Sequence, residues 1–272
     1  HEGESSEPIV KVDQEIKKIS LSEEACGVIS NDLVINLLLK STDIIRENDL
    51  DLGTELSQAY RKRNSVELNC DRHKKVFDEH NIIPKFCFGC YKVQVEPRSI
   101  LELIKLFVIF DQLKLPENNS RKCMVETRPE VLGSYKGFIY CSSLKEAHQV
   151  SDHVKVVMQD RIGPGVPVTV KRGCSEYPLE FPEYEKINIS GNQPMSYDKK
   201  WRSIEKKIDE GNKDWGKAKK SIEGFNLNDF LIMRNWIAYA QKIEDQSVNK
   251  ITNEQIKTPK SLKFSSRNFN SK

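Results

Sequence analysis

From Cys90 to Glu96, Tyr91, Val93 and Val95 alternate with Lys92, Gln94 and Glu96, the two-residue period of a strand that buries one face. Pro97 ends it, and Ser99 stands three residues ahead of Glu102, the spacing of a capping box. A helix follows over 100–113. Leu101, Ile104, Phe107 and Val108 share one side of it, while Leu103, Leu106 and Phe110 fall on others. A helix apolar on so many sides is covered by more than one neighbour.

Two further strands follow, 122–127 and 136–141, joined by a loop that holds Pro129 and Gly133. Ser143 and Glu146 repeat the capping spacing, and Leu144, Ala147, Val150, Val154, Val157 and Met158 form an apolar stripe at helical intervals. Gly163-Pro164-Gly165 stops that helix, and Val166, Val168 and Val170 alternate along a last strand. The order β-α-β-β-α-β predicts an α+β fold, a ferredoxin-like sandwich over residues 84–183. Right-handed crossovers give an antiparallel four-stranded sheet in the order 4-1-3-2.

Helical segments flank this unit. Residues 1–8 are polar and predict a flexible start, and residues 9–83 predict helices. Ser30 to Asp32 offer N-cap oxygens to an apolar helix that runs to Ile45, a second helix is expected over 54–64 with Thr54 as cap, and a third over 71–80. Residues 184–196 read as a connector, and 197–244 as a second helical segment that holds all three tryptophans. Within it, Trp215, Ile222 and Phe225 mark a short helical piece, and Asn228 is the expected cap of the last helix. Residues 245–272 are rich in Lys, Asn and Ser and predict a flexible tail.

Composition narrows the function classes. The 272 residues carry 43 basic and 40 acidic side chains, a balance that argues against a strong nonspecific nucleic-acid binder. No apolar run approaches the ~20 residues of a membrane span. Seven cysteines, an odd number placed on strands and helix faces, predict reduced thiols in an intracellular, reducing compartment, with any cleaved targeting segment not visible.

The cysteines supply the first candidate chemistry. Cys70 and His73 lie one helical turn apart, and Cys87 and Cys90 are separated by two residues. The expected topology sets Cys174 beside the latter pair and Cys123 near Cys141. Thiolates and imidazoles in close pairs suit a structural zinc ion, so Cys70, His73, Cys87, Cys90 and Cys174 are the candidate metal ligands. The same Cys87, Cys90 and Cys174 define the alternative of a thiol- or metal-dependent enzyme. As a redox motif the Cys-x-x-Cys is poorly placed, because it leads into a strand and not a helix.

The second candidate is the sheet face turned away from the helices. Alternation points Ile139 and Cys141 inward and leaves Phe138 and Tyr140 outward, beside Lys92, Gln94, Met124 and Lys171. Lys136-Gly137-Phe138-Ile139-Tyr140 resembles the first half of a signature of the RNA-recognition-motif family, with Ile139 where that family uses a small residue. The resemblance implies single-stranded RNA stacked on Phe138 and Tyr140, with Lys92, Lys136 and Lys171 at the backbone. No P-loop, phosphate-cradling glycine loop or nucleophile elbow is present. The reading that follows is a non-enzymatic binding or assembly module, its partner most naturally another protein, acting through the sheet face and the helical flanks.

Overall fold

Five strands hydrogen-bond into one antiparallel sheet in the order β1-β3-β4-β2-β5. The computed structural model describes residues 7–19, 21, 27–61, 68–211, 222–251, 256–260 and 262. The strands are β1 (Gln58–Arg61), β2 (Tyr91–Val95), β3 (Arg121–Val125), β4 (Tyr135–Cys141) and β5 (Val168–Arg172). The longer helices are α1 (Glu7–Lys17), α2 (Asn31–Glu47), α3 (Cys70–His80), α4 (Ile100–Gln112), α5 (Leu144–Arg161), α7 (Arg202–Glu210) and α8 (Leu227–Lys242), and α6 (Tyr177–Glu180) is a single turn.

The sheet corrects the sequence reading in size. Four strands ordered 4-1-3-2 are expected; the sheet has five, with β1 hydrogen-bonded outside β3, Gln58 opposite Met124 and Arg61 opposite Arg121. Residues 54–61 were the expected second helix. Tertiary contacts override that local pattern. Asn235 donates to the carbonyls of Thr54 and Leu56, and the Trp236 indole donates to that of Ser57, so the backbone that a helix would bond internally is held extended by α8. Ala59 and Arg61 then turn into the core. Residues 62–64 of the expected helix lie outside the described residues, as do 1–6 of the expected flexible start; residues 7 and 8 already belong to α1.

One face of the sheet carries the apolar core. Val93, Val95, Cys123, Val125, Ile139 and Cys141 point into it, against α4 and α5, and α1, α2 and α8 close over α4. This accounts for the apolar circumference of α4. Gly137 lets α4 approach β4 closely, since a Cβ there would stand 2.5 Å from Leu106 Cδ2 and 3.0 Å from the Phe110 ring. Ser99 and Ser143 cap α4 and α5 by accepting from Glu102 N and Glu146 N. The two glutamates do not close the boxes: Glu102 accepts from Arg98 N and Glu146 from Ser142 N, each one residue ahead of the cap. The complete capping box belongs to α8, where the cap is Asn226, not Asn228: Asn226 accepts from Asp229 N and the Asp229 carboxylate from Asn226 N.

Other expectations also move. Part of the expected tail is core: the Asp245 carboxylate accepts from Ile100 N and from the Tyr135 hydroxyl, and Val248, Ile251 and Ile256 are buried. Cys123 is paired with Gly137 and Cys141 with Tyr91, so the two thiols lie four residues apart along β4 and do not face each other. Trp215 lies outside the described residues, while Phe225 is buried against Phe107.

Candidate ligand-binding cleft

On the other face, strand alternation builds a floor of a different kind. Across β3 and β4, Lys122 stands opposite Phe138; across β2, Lys92 stands opposite Tyr140 on one side and Lys171 on the other. Met124, Phe138 and Tyr140 form a small apolar cluster separate from the main core. The face is not open. The α3 helix, the 126–130 loop and the 173–177 turn rise around it and leave a cleft of about 360 Å³.

Local chemistry fixes each wall. Asn81, at φ 51°, ends α3 in the left-handed region that asparagine tolerates better than most residues. Arg72 anchors α3 to α7 through Glu205 (2.6 Å) and Asp209 (2.9 Å). The turn after β5 depends on Gly173. Its φ is 55°, and a Cβ there would fall 1.9 Å from the Tyr184 hydroxyl oxygen, which donates its own proton to the Cys87 carbonyl. Arg172 spends its guanidinium on the carbonyls of Phe88, Tyr184 and Met195 and so ties both neighbouring segments to the end of β5. Gly173 N donates to the Cys90 carbonyl, which places Cys174 beside the Cys87–Cys90 segment, as the topology predicts.

All five proposed metal ligands, Cys70, His73, Cys87, Cys90 and Cys174, line this cleft. They are brought to one region but not to one centre: among the described residues, no group of three or more His, Cys, Asp or Glu side chains is placed to hold a metal ion. Cys87 Sγ lies 3.3 Å from the Tyr177 hydroxyl, and burial pushes its thiol well up. Burial likewise pushes the Cys90 thiol up to about 12, against the pull of Lys92. Cys174 Sγ accepts from the Lys92 ammonium at 3.3 Å, a cation already on the atom that a metal would need. His73 stacks on Phe86 with ring centroids 5.0 Å apart, and burial, then the Arg72 charge, lowers its imidazole to about 4. Its Nε2 is buried with no hydrogen-bond partner among the described residues.

The binding residues read from the sheet divide into two sets. Phe138, Tyr140, Lys92 and Lys171 lie in the cleft. Lys136 is drawn off to Glu126 at 3.4 Å. Around the Phe138 ring stand three ammonium groups, from Lys92 (5.5 Å to the centroid), Lys122 (5.8 Å) and Lys171 (5.8 Å). Lys171 donates to the Ser175 hydroxyl at 2.7 Å. Burial, then the charge of Lys92, lowers the Lys171 ammonium to about 8. Burial also acts to lower Lys92, but the surrounding Cys174, Cys90, Cys70 and Glu176 charges outweigh it and leave its pKa raised. The cysteine part of that upward pull exists only where those sulfurs are thiolates, and Cys90 at about 12 is a neutral thiol near pH 7. At neutral pH Lys92 is a buried ammonium directly opposite a second ammonium.

Three of the four carboxylates that line the cleft are engaged elsewhere. Asp78 pairs with Lys74, Glu126 with Arg128 at 2.8 Å and Glu176 with Arg128 at 3.3 Å. Lys122, Arg128, Ser175 and Glu176 were not among the site residues read from sequence. Lys122 was within reach, because it shares strand parity with Met124, already assigned to this face. Tyr60, which carries the Lys122 ammonium 5.4 Å over its ring, was hidden by the helical reading of 54–64.

The chain matches no protein-family model, no curated protein and no solved structure. No helix among the described residues is long and apolar enough to cross a membrane.

Proposed function

We propose that the protein is a binding module whose ligand site is the cleft on the helix-free face of the sheet. The observation that carries this is the roofing of that face: residues expected to lie outward on an open sheet instead line a bounded cavity of about 360 Å³, at the lower end of the ~300–1,000 Å³ typical of small-molecule sites. The sequence favours a protein partner and offers single-stranded RNA as an alternative. A small ligand fits the cleft better than either. A strand of RNA needs successive bases laid across an exposed sheet, and here Phe138 and Tyr140 are only 7% and 6% exposed. The scaffold fits the role. The pairing of β2 with β4 and β5, and of β3 with β4, supports reading 84–183 as a ferredoxin-like unit extended by β1.

Cys174 is partly exposed on the cleft wall and packs against the Tyr177 and Tyr184 cluster, so a Cys174→Trp variant shown to unfold cooperatively serves to fill the cavity. A thermal-shift panel of phosphorylated, carboxylic, neutral and cationic small molecules then tests the reading. At least one class raises Tm by several degrees, as mass action requires of a ligand well above its Kd, and the shift disappears in Cys174→Trp. A panel that leaves the native protein unmoved, or a shift that survives in the filled variant, removes the cleft as the ligand site.

A second reading keeps one observation of its own. The Lys92–Cys174 contact places a cation on a partly exposed sulfur, the setting in which thiols act as nucleophiles. Cys87 and Cys90, held as neutral thiols by burial, do not share it. Turnover abolished by Cys174→Ser with ligand affinity retained would favour an enzyme over a binding module.

A further inference from the structure

Lys92 and Lys171 are directly opposed across β2 and β5. Like charges in that position repel, and opposite charges are the usual pairing. The pair is costlier here because Lys92 is only 6% exposed and Lys171 is half-buried. Among the described residues, neither lysine has a carboxylate within ion-pair distance; Lys92 donates to Cys174 Sγ and Lys171 to Ser175 Oγ. A fold gains nothing from burying two adjacent ammonium groups with no carboxylate paired to either. Such local conflicts concentrate at functional sites.

The aromatic floor explains how the pair is tolerated without a ligand. The Phe138 ring attracts both ammonium groups to its negative face. That arrangement also decides the ligand's chemistry. The ammonium groups already occupy the ring's surroundings, so a planar base does not stack there without displacing them. A negatively charged group meets the ammonium groups on the side away from the ring. Two fixed positive charges match a dianion, and the Ser175 hydroxyl adds a third donor to a tetrahedral oxyanion.

We propose that the cleft receives the dianionic phosphoryl group of a small molecule, held by Lys92 and Lys171. The proposal rests on the cleft being the ligand site and adds the class of ligand. Three carboxylates of the cleft, Asp78, Glu126 and Glu176, are each paired with Lys74 or Arg128 and not with these two lysines.

The groups facing Lys171 also predict a proton signature. Lys92 and Lys136 push its pKa down, Cys174 and Glu176 push it up, and burial exceeds them all, leaving it at about 8. A phosphoryl dianion favours the charged ammonium, so binding takes up a proton at pH values above that point and none well below it.

Isothermal titration of the full chain with inorganic phosphate, glycerol 3-phosphate and glycerol tests the proposal. Glycerol 3-phosphate binds, glycerol does not, and added salt weakens the binding. Lys171→Met, at a half-buried position where loss of the native fold is not expected, weakens it by at least about tenfold, and titrations in buffers of different ionisation enthalpy show proton uptake only above about pH 8. Tighter binding of the ester than of inorganic phosphate supports a phosphorylated small molecule; equal affinity supports phosphate itself as the same chemistry from a free source. No binding of either anion by the native protein, or affinity unchanged in a folded Lys171→Met, overturns the proposal. If neutral or cationic compounds bind and Cys174→Trp blocks them, only the phosphoryl assignment fails; if nothing is blocked by Cys174→Trp, the cleft reading fails with it.

Discussion

The two faces of the sheet come from the same strands and treat charge in opposite ways. Toward α4 and α5 the strands present Val93, Val95, Val125 and Ile139, all essentially inaccessible to water. Of the charges buried there, Arg61 is saturated by carboxylates: it binds Asp229 through both terminal nitrogens at 3.1 and 2.7 Å, Asp111 at 2.6 Å and the Gly224 carbonyl at 2.8 Å, and it lies over the Phe107 ring, while Arg121 opposite it donates to the Asn119, Phe110 and Leu113 carbonyls. Toward the cleft the strands present two opposed lysines, one on the Cys174 sulfur and one on the Ser175 hydroxyl. One face is arranged for stability. The other retains a repulsion between two ammonium groups.

Breaking the saturated charge gives the largest effect. Burial raises the Asp229 carboxyl even though Arg61 pulls it down, so the pair is not by itself a source of net stability. Removing one partner is costly for that same reason. Arg61→Ala leaves Asp229 buried without its counter-charge and is expected to lower unfolding stability by about 3–5 kcal/mol in urea denaturation. A loss below about 1 kcal/mol would show that the network is open to water.

Ile139→Ala comes next. Its side chain is fully buried between β4 and the helices, and truncation costs about 2–5 kcal/mol through lost transfer energy and a residual cavity. Phosphate affinity, read on the opposite face of the same strand, is unchanged in any fraction that remains folded. A parallel loss of affinity would mean that the two faces are coupled through β4.

Lys171→Met is expected to have the opposite sign. The folded-state pKa of Lys171 is depressed to about 8 from 10.5, so the unfolded chain binds more protons between those values. Wild-type stability therefore contains a lysine penalty that is full below about pH 8 and fades as pH rises toward 10.5. The variant lacks the penalty and gains roughly 1 kcal/mol at neutral pH in the absence of ligand, an advantage that shrinks in alkali. The buried cysteines also titrate in that range, and taking the difference between variant and wild type cancels them. A destabilised Lys171→Met at neutral pH contradicts the repulsion on which the comparison rests.

Sequence patterning carried much of this architecture because the signals were local. Alternation at Tyr91, Val93 and Val95, the caps at Ser30, Ser99 and Ser143 and the Gly163-Pro164-Gly165 stop act within a few residues of themselves. The missed features depend on distant partners. The β1 strand is extended because Asn235 and Trp236, nearly 180 residues away, take up the carbonyls of 54–57. Asp245 joins the core because Ile100 N and the Tyr135 hydroxyl need an acceptor. In the cleft, parity assigned Phe138, Tyr140, Lys92 and Lys171 to one face, but their burial could not be read from parity. The walls come from α3 and two loops, whose approach is set by Gly173, Arg72 and Arg172. The cysteines drew attention for their spacing, yet spacing says nothing of which atom each sulfur meets.

The smallest effect is the most useful control on the repulsion argument. Lys155, unlike Lys171, sits beside an acid, Asp152 at 3.3 Å, on an exposed stretch of α5 where both side chains are more than half accessible. Water and salt screen that pair almost completely, and exposed pairs of this kind contribute about 0–1 kcal/mol. Lys155→Met removes the same charge by the same chemistry as Lys171→Met. It should move stability by no more than about 0.5 kcal/mol, with no change in phosphate affinity. If Lys155→Met stabilised the protein as Lys171→Met is expected to, the gain would come from lowering overall positive charge, and the opposed lysines would lose their claim to be a site.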